Sequence, residues 1–157
     1  MLFYPVNKTH FASDTLLMGR EIYEGFAASW PFRTAADDGP GEEGFVDRIN
    51  GLPKFVASTT LKEPLEWNNS HLIKQNVVEE ISKLKQQPGQ DILVGGSGQL
   101  VQTLREHNLV DQYTLLVYPV VLGKGKRLFK EGINSTLKLV ETKSYDTGVV
   151  LTVYKPA

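Results

Sequence analysis

The chain has 157 residues, 41% of them apolar and 22% charged, with 17 Lys and Arg against 18 Asp and Glu for a formal net charge of −1. This length suits one domain around one core, and this composition belongs to a globular protein rather than a disordered tail. The near balance of charge argues against a nucleic-acid binder, which needs a basic face to displace counterions, but leaves room for a local anion pocket. The absence of cysteine rules out disulfides, thiolate zinc sites and a cysteine nucleophile. His10, His71 and His107 lack metal-ligand spacing; they read as surface or edge residues, and no metal is expected. The opening MLFYPVNKTHF is too short in its apolar part for a signal peptide, and no apolar run approaches a membrane span. The cytosol is the expected compartment.

Strand and helix signals then alternate. Thr15 to Met18 is a short apolar run stopped by Gly19, and it reads as a buried strand. Arg20 to Ala28 follows as a helix with Ile22, Tyr23 and Phe26 on one face, ended by Trp30-Pro31. Arg33 to Gly44 is polar and rich in glycine and acids, an exposed loop. Phe45 to Asn50 is a short helix closed by Gly51 and Pro53. Lys54 to Ser58 and Ser70 to Lys74 have strand character. From Val77 the spacing turns helical, with Val77, Val78, Ile81 and Leu84 on one face, until Pro88-Gly89. Asp91 to Val94 is a strand, Gly95 to Gly98 a turn, and Leu100, Val101 and Leu104 mark another helix. Tyr113 to Leu122 is a nearly continuous apolar run, expected as a strand in the sheet centre with a bulge or break at Pro119. Leu137 to Tyr145 and Val149 to Tyr154 flank Asp146-Thr147-Gly148 as an antiparallel hairpin. The pattern predicts an α/β domain: a mixed, mostly parallel sheet with helices on both faces and a C-terminal hairpin. No internal repeat and no second domain is visible.

Two strand–turn–helix junctions carry the chemistry. At the first, Gly19 lets a ligand approach the backbone, and Arg20 opens a helix whose first turn offers N–H donors, a partial positive charge and a planar cationic fork. At the second, Asp91 to Val94 runs into Gly95-Gly96-Ser97-Gly98 and a helix, which makes a pyrophosphate cradle. Tight turns also explain such glycines, though three in four positions exceed what one turn needs. Other phosphate and hydrolase signatures fail on spacing. A dinucleotide fingerprint starting at Gly96 requires glycine or alanine where Val101 stands, and an acid about twenty positions on, where Leu116 to Pro119 hold none. No Gly-Lys-Ser/Thr tripeptide closes a Walker loop, and no Gly-x-Ser-x-Gly elbow occurs. The basic loop Gly123 to Arg127 reads as a solvated loop, and Tyr23, Phe26, Trp30 and Trp67 read as core more readily than as pocket walls.

The stretches Leu16 to Pro31, Leu52 to Ile73, Asp91 to Asp111 and Tyr118 to Gly132, with the closing hairpin, resemble the bacterial dihydrofolate-reductase-like family that shares the reductase domain of bifunctional riboflavin biosynthesis proteins. The resemblance implies a dihydrofolate-reductase-like fold over residues 1–157 and NADPH as hydride donor. It places Gly19 and Arg20 at the cofactor phosphates and Ser58 and Thr59 beside the adenosine 2′-phosphate. It places Gly95, Gly96, Ser97 and Gly98, with Gln99 and Leu100, on the pyrophosphate and nicotinamide side. The substrate class it implies is a pterin-, pyrimidine- or flavin-like heterocycle.

Departures from the family pattern are also legible. Ile22 stands where many relatives carry a threonine whose hydroxyl helps hold the cofactor, Glu21 adds a negative charge beside the anion site, and Leu100 replaces a tyrosine common in dihydrofolate reductases. Relatives begin with a further strand and loop, whereas eleven residues precede Ala12 here. The expectation is that the first strand is missing and that the gap reflects truncation, or is filled by MLFYP or by a second copy in a strand-exchanged homodimer. The usual proton donor belongs to that region, and no catalytic residue is assigned. Two functions stay open: an NADPH-dependent reductase, or a non-catalytic nucleotide-binding or structural dimer.

Overall fold

The computed structural model describes residues 12–39 and 41–157. Expectations about MLFYP and a missing first strand fall outside those residues. The chain divides into two compact units, one ending at Val101 and one running from Gln102 to Ala157.

Among the described residues, the first unit has four strands, β1 (Ser13–Gly19), β2 (Lys54–Ala57), β3 (Ser70–Ile73) and β4 (Asp91–Val94), in the order β3-β2-β1-β4 with every neighbouring pair parallel. The connections carry α1 (Arg20–Ala27), α2 (Phe45–Gly51) and α3 (Val77–Lys85), and α4 (Gly98–Glu106) leads into the second unit. Leu16, Leu17 and Met18 are all buried, as a central parallel strand requires, because successive side chains point to opposite faces. Leu16 and Met18 join Tyr23, Trp30, Phe45, Val46 and Ile49 in one core. Of the aromatics expected as core, Tyr23, Trp30 and Trp67 are buried, and Phe26 packs against them partly buried. The buried polar tips find partners: Tyr23 Oη accepts the Trp67 N–H (3.1 Å), Trp67 Nε1 donates to Asn50 Oδ1 (2.8 Å), and Asn50 Nδ2 donates to the Trp30 carbonyl (2.9 Å). Each bond satisfies a group that would otherwise be costly to bury.

Lys54 is the unexpected member of this core. It is fully buried, and its Nζ donates to the carbonyls of Asn50 (2.8 Å), Leu52 (2.7 Å) and Asn68 (3.0 Å) while lying 4.4 Å from the centre of the Trp67 ring. An ammonium has three N–H donors, so all are used. Two of the carbonyls belong to the end of α2, where a cation also complements the helix dipole.

The loop from Arg33 to Gly44 is exposed as expected but carries local order. Thr34 and Asp37 form a reciprocal capping box around the 3-10 turn Ala35–Asp37. Asp38 reaches forward to accept the N–H groups of Gly44 and Val46, both at 2.8 Å, and so caps α2 in place of Gly44, which has φ 80° and no side chain. Asp38→Ala should lower the unfolding free energy by about 1 kcal/mol in urea titration, the usual value of a cap. An unchanged midpoint would show that water replaces the carboxylate without loss.

The second unit is an antiparallel sheet of β5 (Tyr113–Val117), β6 (Leu137–Ser144) and β7 (Val150–Pro156) in the order β5-β7-β6. The predicted hairpin is present, turned at Gly148 with φ 82°. Among the described residues, the parallel and antiparallel strands, expected in one mixed sheet, fall in two sheets, a parallel one and an antiparallel one that holds the hairpin. The expected central strand from Tyr113 to Leu122 needs correction. Among the described residues β5 pairs with β7 alone, at the sheet edge, and it ends at Val117. Pro119 has no N–H to donate, and the Val120 N–H turns back onto the Tyr118 carbonyl (2.8 Å) as a γ-turn. Val120, Val121 and Leu122 are exposed. An apolar run records an affinity for burial, not the number of strands that flank it.

Of the histidines within the described residues, His71 stacks on Phe55 across β2 and β3 (5.2 Å between ring centres), and His107 contacts the Thr103 carbonyl. Both are exposed, as expected of edge residues. No helix among the described residues is long and apolar enough to cross a membrane.

Candidate functional site

Because β1, β2 and β4 are parallel neighbours, their C-terminal ends share one edge of the first unit's sheet. Gly19 lies opposite Ala57, so Ser58 and Thr59 follow directly beside it, while Leu17 pairs with Val94 and Gly95 begins just beyond. The three segments singled out by sequence are therefore brought together, and two of them touch. Ser97 Oγ accepts the Gly19 N–H at 2.8 Å and stands 3.3 Å from the Gly95 carbonyl, to which it donates. Ile22, on the first turn of α1, lies against Gly96: a Cβ placed on Gly96 would fall 2.9 Å from Ile22 Cδ1.

Gly96 and Ser97 both have positive φ, 63° and 55°. The turn thus needs Gly96 twice, for its conformation and for the approach of Ile22. Gly95 and Gly98 need no such account, since a methyl group on either would meet nothing within 4 Å. That open space lies beside the start of α4, where first-turn N–H groups have no carbonyl partner within the helix. Gln99 is exposed, whereas Leu100 is buried at 8%, so its side chain belongs to the packing of α4.

At the other corner, Gly19 precedes α1 without any side-chain cap. Arg20 is exposed, and its Nη1 donates to Glu24 Oε2 at 2.9 Å with Glu21 Oε1 4.0 Å from Nη2. Exposed pairs of this kind contribute little, so a bound phosphate could draw the guanidinium away at small cost. Ser58 Oγ accepts the N–H groups of Thr60 (3.2 Å) and Leu61 (3.1 Å), which shapes the turn after β2; Thr59 is exposed. The basic loop Gly123 to Arg127 is exposed in the second unit, as a solvated loop should be.

Sequence reasoning missed how these residues use one another. Gly19 and Ser97 are 78 positions apart, and neither spacing nor composition signals their bond. Nothing in the sequence marked Lys54 as buried either, since lysine is ordinarily a surface residue.

A parallel α/β sheet with glycine turns converging at its C-terminal edge defines a class of nucleotide-site scaffold. Comparison with known proteins narrows it. The family model for the RibD C-terminal domain matches residues 5–151, and the chain belongs to that family. Two curated relatives from Bacillus subtilis (strain 168) are similar along most of their length. The uncharacterized protein YyaP is 37% identical over 144 residues, 90% of this chain and 73% of the relative; YwjB is 38% identical over 141 residues, 88% and 71%. A putative riboflavin biosynthesis protein from Shewanella sp. PV-4 shares the fold with a TM-score of 0.74 at 20% identity, covering 99% of this chain and 81% of that one. The diaminohydroxyphosphoribosylaminopyrimidine deaminase/5-amino-6-(5-phosphoribosylamino)uracil reductase of Thermotoga maritima matches with a TM-score of 0.63 at 15% identity. That match covers 99% of this chain and 49% of the bifunctional protein, about half of its length. The reductase-domain, dihydrofolate-reductase-like fold expected from the sequence is thereby shown.

Proposed function

We propose that the chain is an NADPH-dependent reductase of a pterin-, pyrimidine- or flavin-like heterocycle. One observation carries this reading above the others: the Gly19-Arg20 helix start and the Gly95 to Gly98 turn meet at one sheet edge, joined by the bond from Gly19 to Ser97. Membership of the RibD C-terminal domain family supports the reductase class, and the name of the Thermotoga protein supports a pyrimidine-like substrate.

The donor set fits a dinucleotide. Arg20 and the first turn of α1 serve its phosphates, Ser58 and Thr59 border the 2′-phosphate, and the open space over Gly95 and Gly98 admits the pyrophosphate at the start of α4. Gln99 and Leu100 continue toward the nicotinamide. When bound, NADPH supplies a hydride, a transfer that depends on placing two rings correctly more than on a nucleophile. The chain's part is to bind and orient; no proton donor is assigned. We place the protein in the cytosol, as a homodimer.

Titration with NADPH and NADH, followed by nicotinamide fluorescence, tests the proposal. NADPH is expected to bind, and Arg20→Ala should weaken NADPH about tenfold more than NADH, the scale of a hydrogen bond to a charged group. Absence of binding by either nucleotide at millimolar concentration would sink the reading. A second reading, a non-catalytic nucleotide-binding dimer, is favoured by the engagement of Arg20 with Glu24 and by Ile22 over Gly96. Binding without turnover of dihydrofolate, pterins or pyrimidine intermediates would select it.

A further inference from the structure

Ser97 is a serine where the backbone favours glycine. It follows Gly96 in a second consecutive left-handed conformation, φ 55° after 63°, and a glycine would adopt that conformation without strain. What the serine adds is its hydroxyl. The firm contact is the Gly19 N–H on the Ser97 oxygen at 2.8 Å, which occupies that amide, while the hydroxyl proton has the Gly95 carbonyl within reach at 3.3 Å.

We propose that Ser97 is a positioning residue: its hydroxyl clasps the Gly19-Arg20 corner to the glycine turn and sets the width of the gap between them, without itself touching the cofactor. The proposal rests on the dinucleotide reading above and changes the part that Gly19 and Ser97 play in it. Both become framework, and the phosphates fall to Arg20 and to the helix starts. Ile22 against Gly96 holds the same two segments together on the apolar side, so the clasp and the packing contact define one rigid edge. A phosphate site works by convergence of donors, and the loss of either fastening lets the corners drift apart.

The experiment compares wild type with Ser97→Gly, which keeps the turn's conformation and removes the hydroxyl, and with Ser97→Ala, which keeps a side chain. Amide exchange at Gly19 is read by nuclear magnetic resonance, and NADPH and NADH affinities by fluorescence. In Ser97→Gly the Gly19 amide should exchange faster than in wild type. Both nucleotides should weaken by about five- to tenfold with their ratio unchanged, the scale of one lost hydrogen bond. Arg20→Ala, by contrast, should change the ratio. Wild-type affinity in Ser97→Gly, or Gly19 exchange unaltered, overturns the clasp while leaving the dinucleotide reading intact. Selective loss of NADPH overturns it too, because the hydroxyl would then be a direct ligand of the 2′-phosphate. If wild type binds neither nucleotide, the dinucleotide reading falls and the clasp's role falls with it. Should Ser97→Ala fail to fold, Ser97→Gly decides alone.

Discussion

Replacing Lys54 with methionine should lower the unfolding free energy by about 2–4 kcal/mol, the range for removing one partner from a buried polar cluster. Methionine fills a similar volume, so the loss does not come from a cavity. It comes from the carbonyls of Asn50, Leu52 and Asn68, which lose their shared donor inside the core, and from the indole of Trp67, which loses its cation. Urea denaturation at neutral pH measures it, and a variant as stable as wild type would show that water or a backbone shift satisfies all three carbonyls. The pH dependence has a definite sign. Burial pushes the Lys54 ammonium down to about 8, from 10.5 in the unfolded chain. Between those values the unfolded chain holds the proton and the folded chain does not. The folded state therefore gains stability from this residue as pH rises from about 8 to 10.5. Below about 8 the ammonium is charged in both states and that gain is absent. The stability difference between wild type and Lys54→Met should accordingly widen from pH 7 toward pH 10.

Gly96→Ala is the second large effect. Alanine at φ 63° costs about 1 kcal/mol in backbone strain, and its Cβ would meet Ile22 Cδ1 at 2.9 Å and Cγ1 at 3.3 Å. Together these should destabilise by about 2–3 kcal/mol, because overpacking adds to the strain. The two parts separate in a double-mutant cycle with Ile22→Ala. The double variant should be more stable than the sum of the single effects by about 1 kcal/mol, since the contact that causes the clash is gone. Strict additivity would mean that Ile22 simply swings aside, leaving the conformation of residue 96 as the whole cost. Nucleotide affinity of the double variant offers a further check on how far Ile22 governs the gap.

Much of the first unit was legible in the chain. The apolar runs at Thr15 to Met18 and Asp91 to Val94, each stopped by glycine, and the 3.6-residue stripe from Val77 predicted β1, β4 and α3 close to their observed bounds, because burial on a strand or a helix imposes its own period. The parallel alternation with helices also implied that Gly19 and the Gly95 turn open at the same edge. The run from Tyr113 to Leu122 shows where such reading stops. Hydrophobicity there suggested a central strand, but pairing requires a partner with matching donors; Pro119 has no N–H to give, and among the described residues β7 is the one neighbour of β5.

By itself, then, the sequence determined most of the elements, the parallel pairing of the first unit's strands and the residue types at the strand ends, since local periodicity and turn chemistry act within a few positions. Only the tertiary structure decided what those ends do to one another. The Ser97 hydroxyl on the Gly19 amide, Ile22 over Gly96, and the Asn68 carbonyl and Trp67 ring on Lys54 are contacts between residues that the fold alone brings within a few ångströms. A hydroxyl or an ammonium has the same composition wherever it stands. Whether it serves solvent, a ligand or the protein's own backbone depends on which donors and acceptors the packed chain leaves beside it.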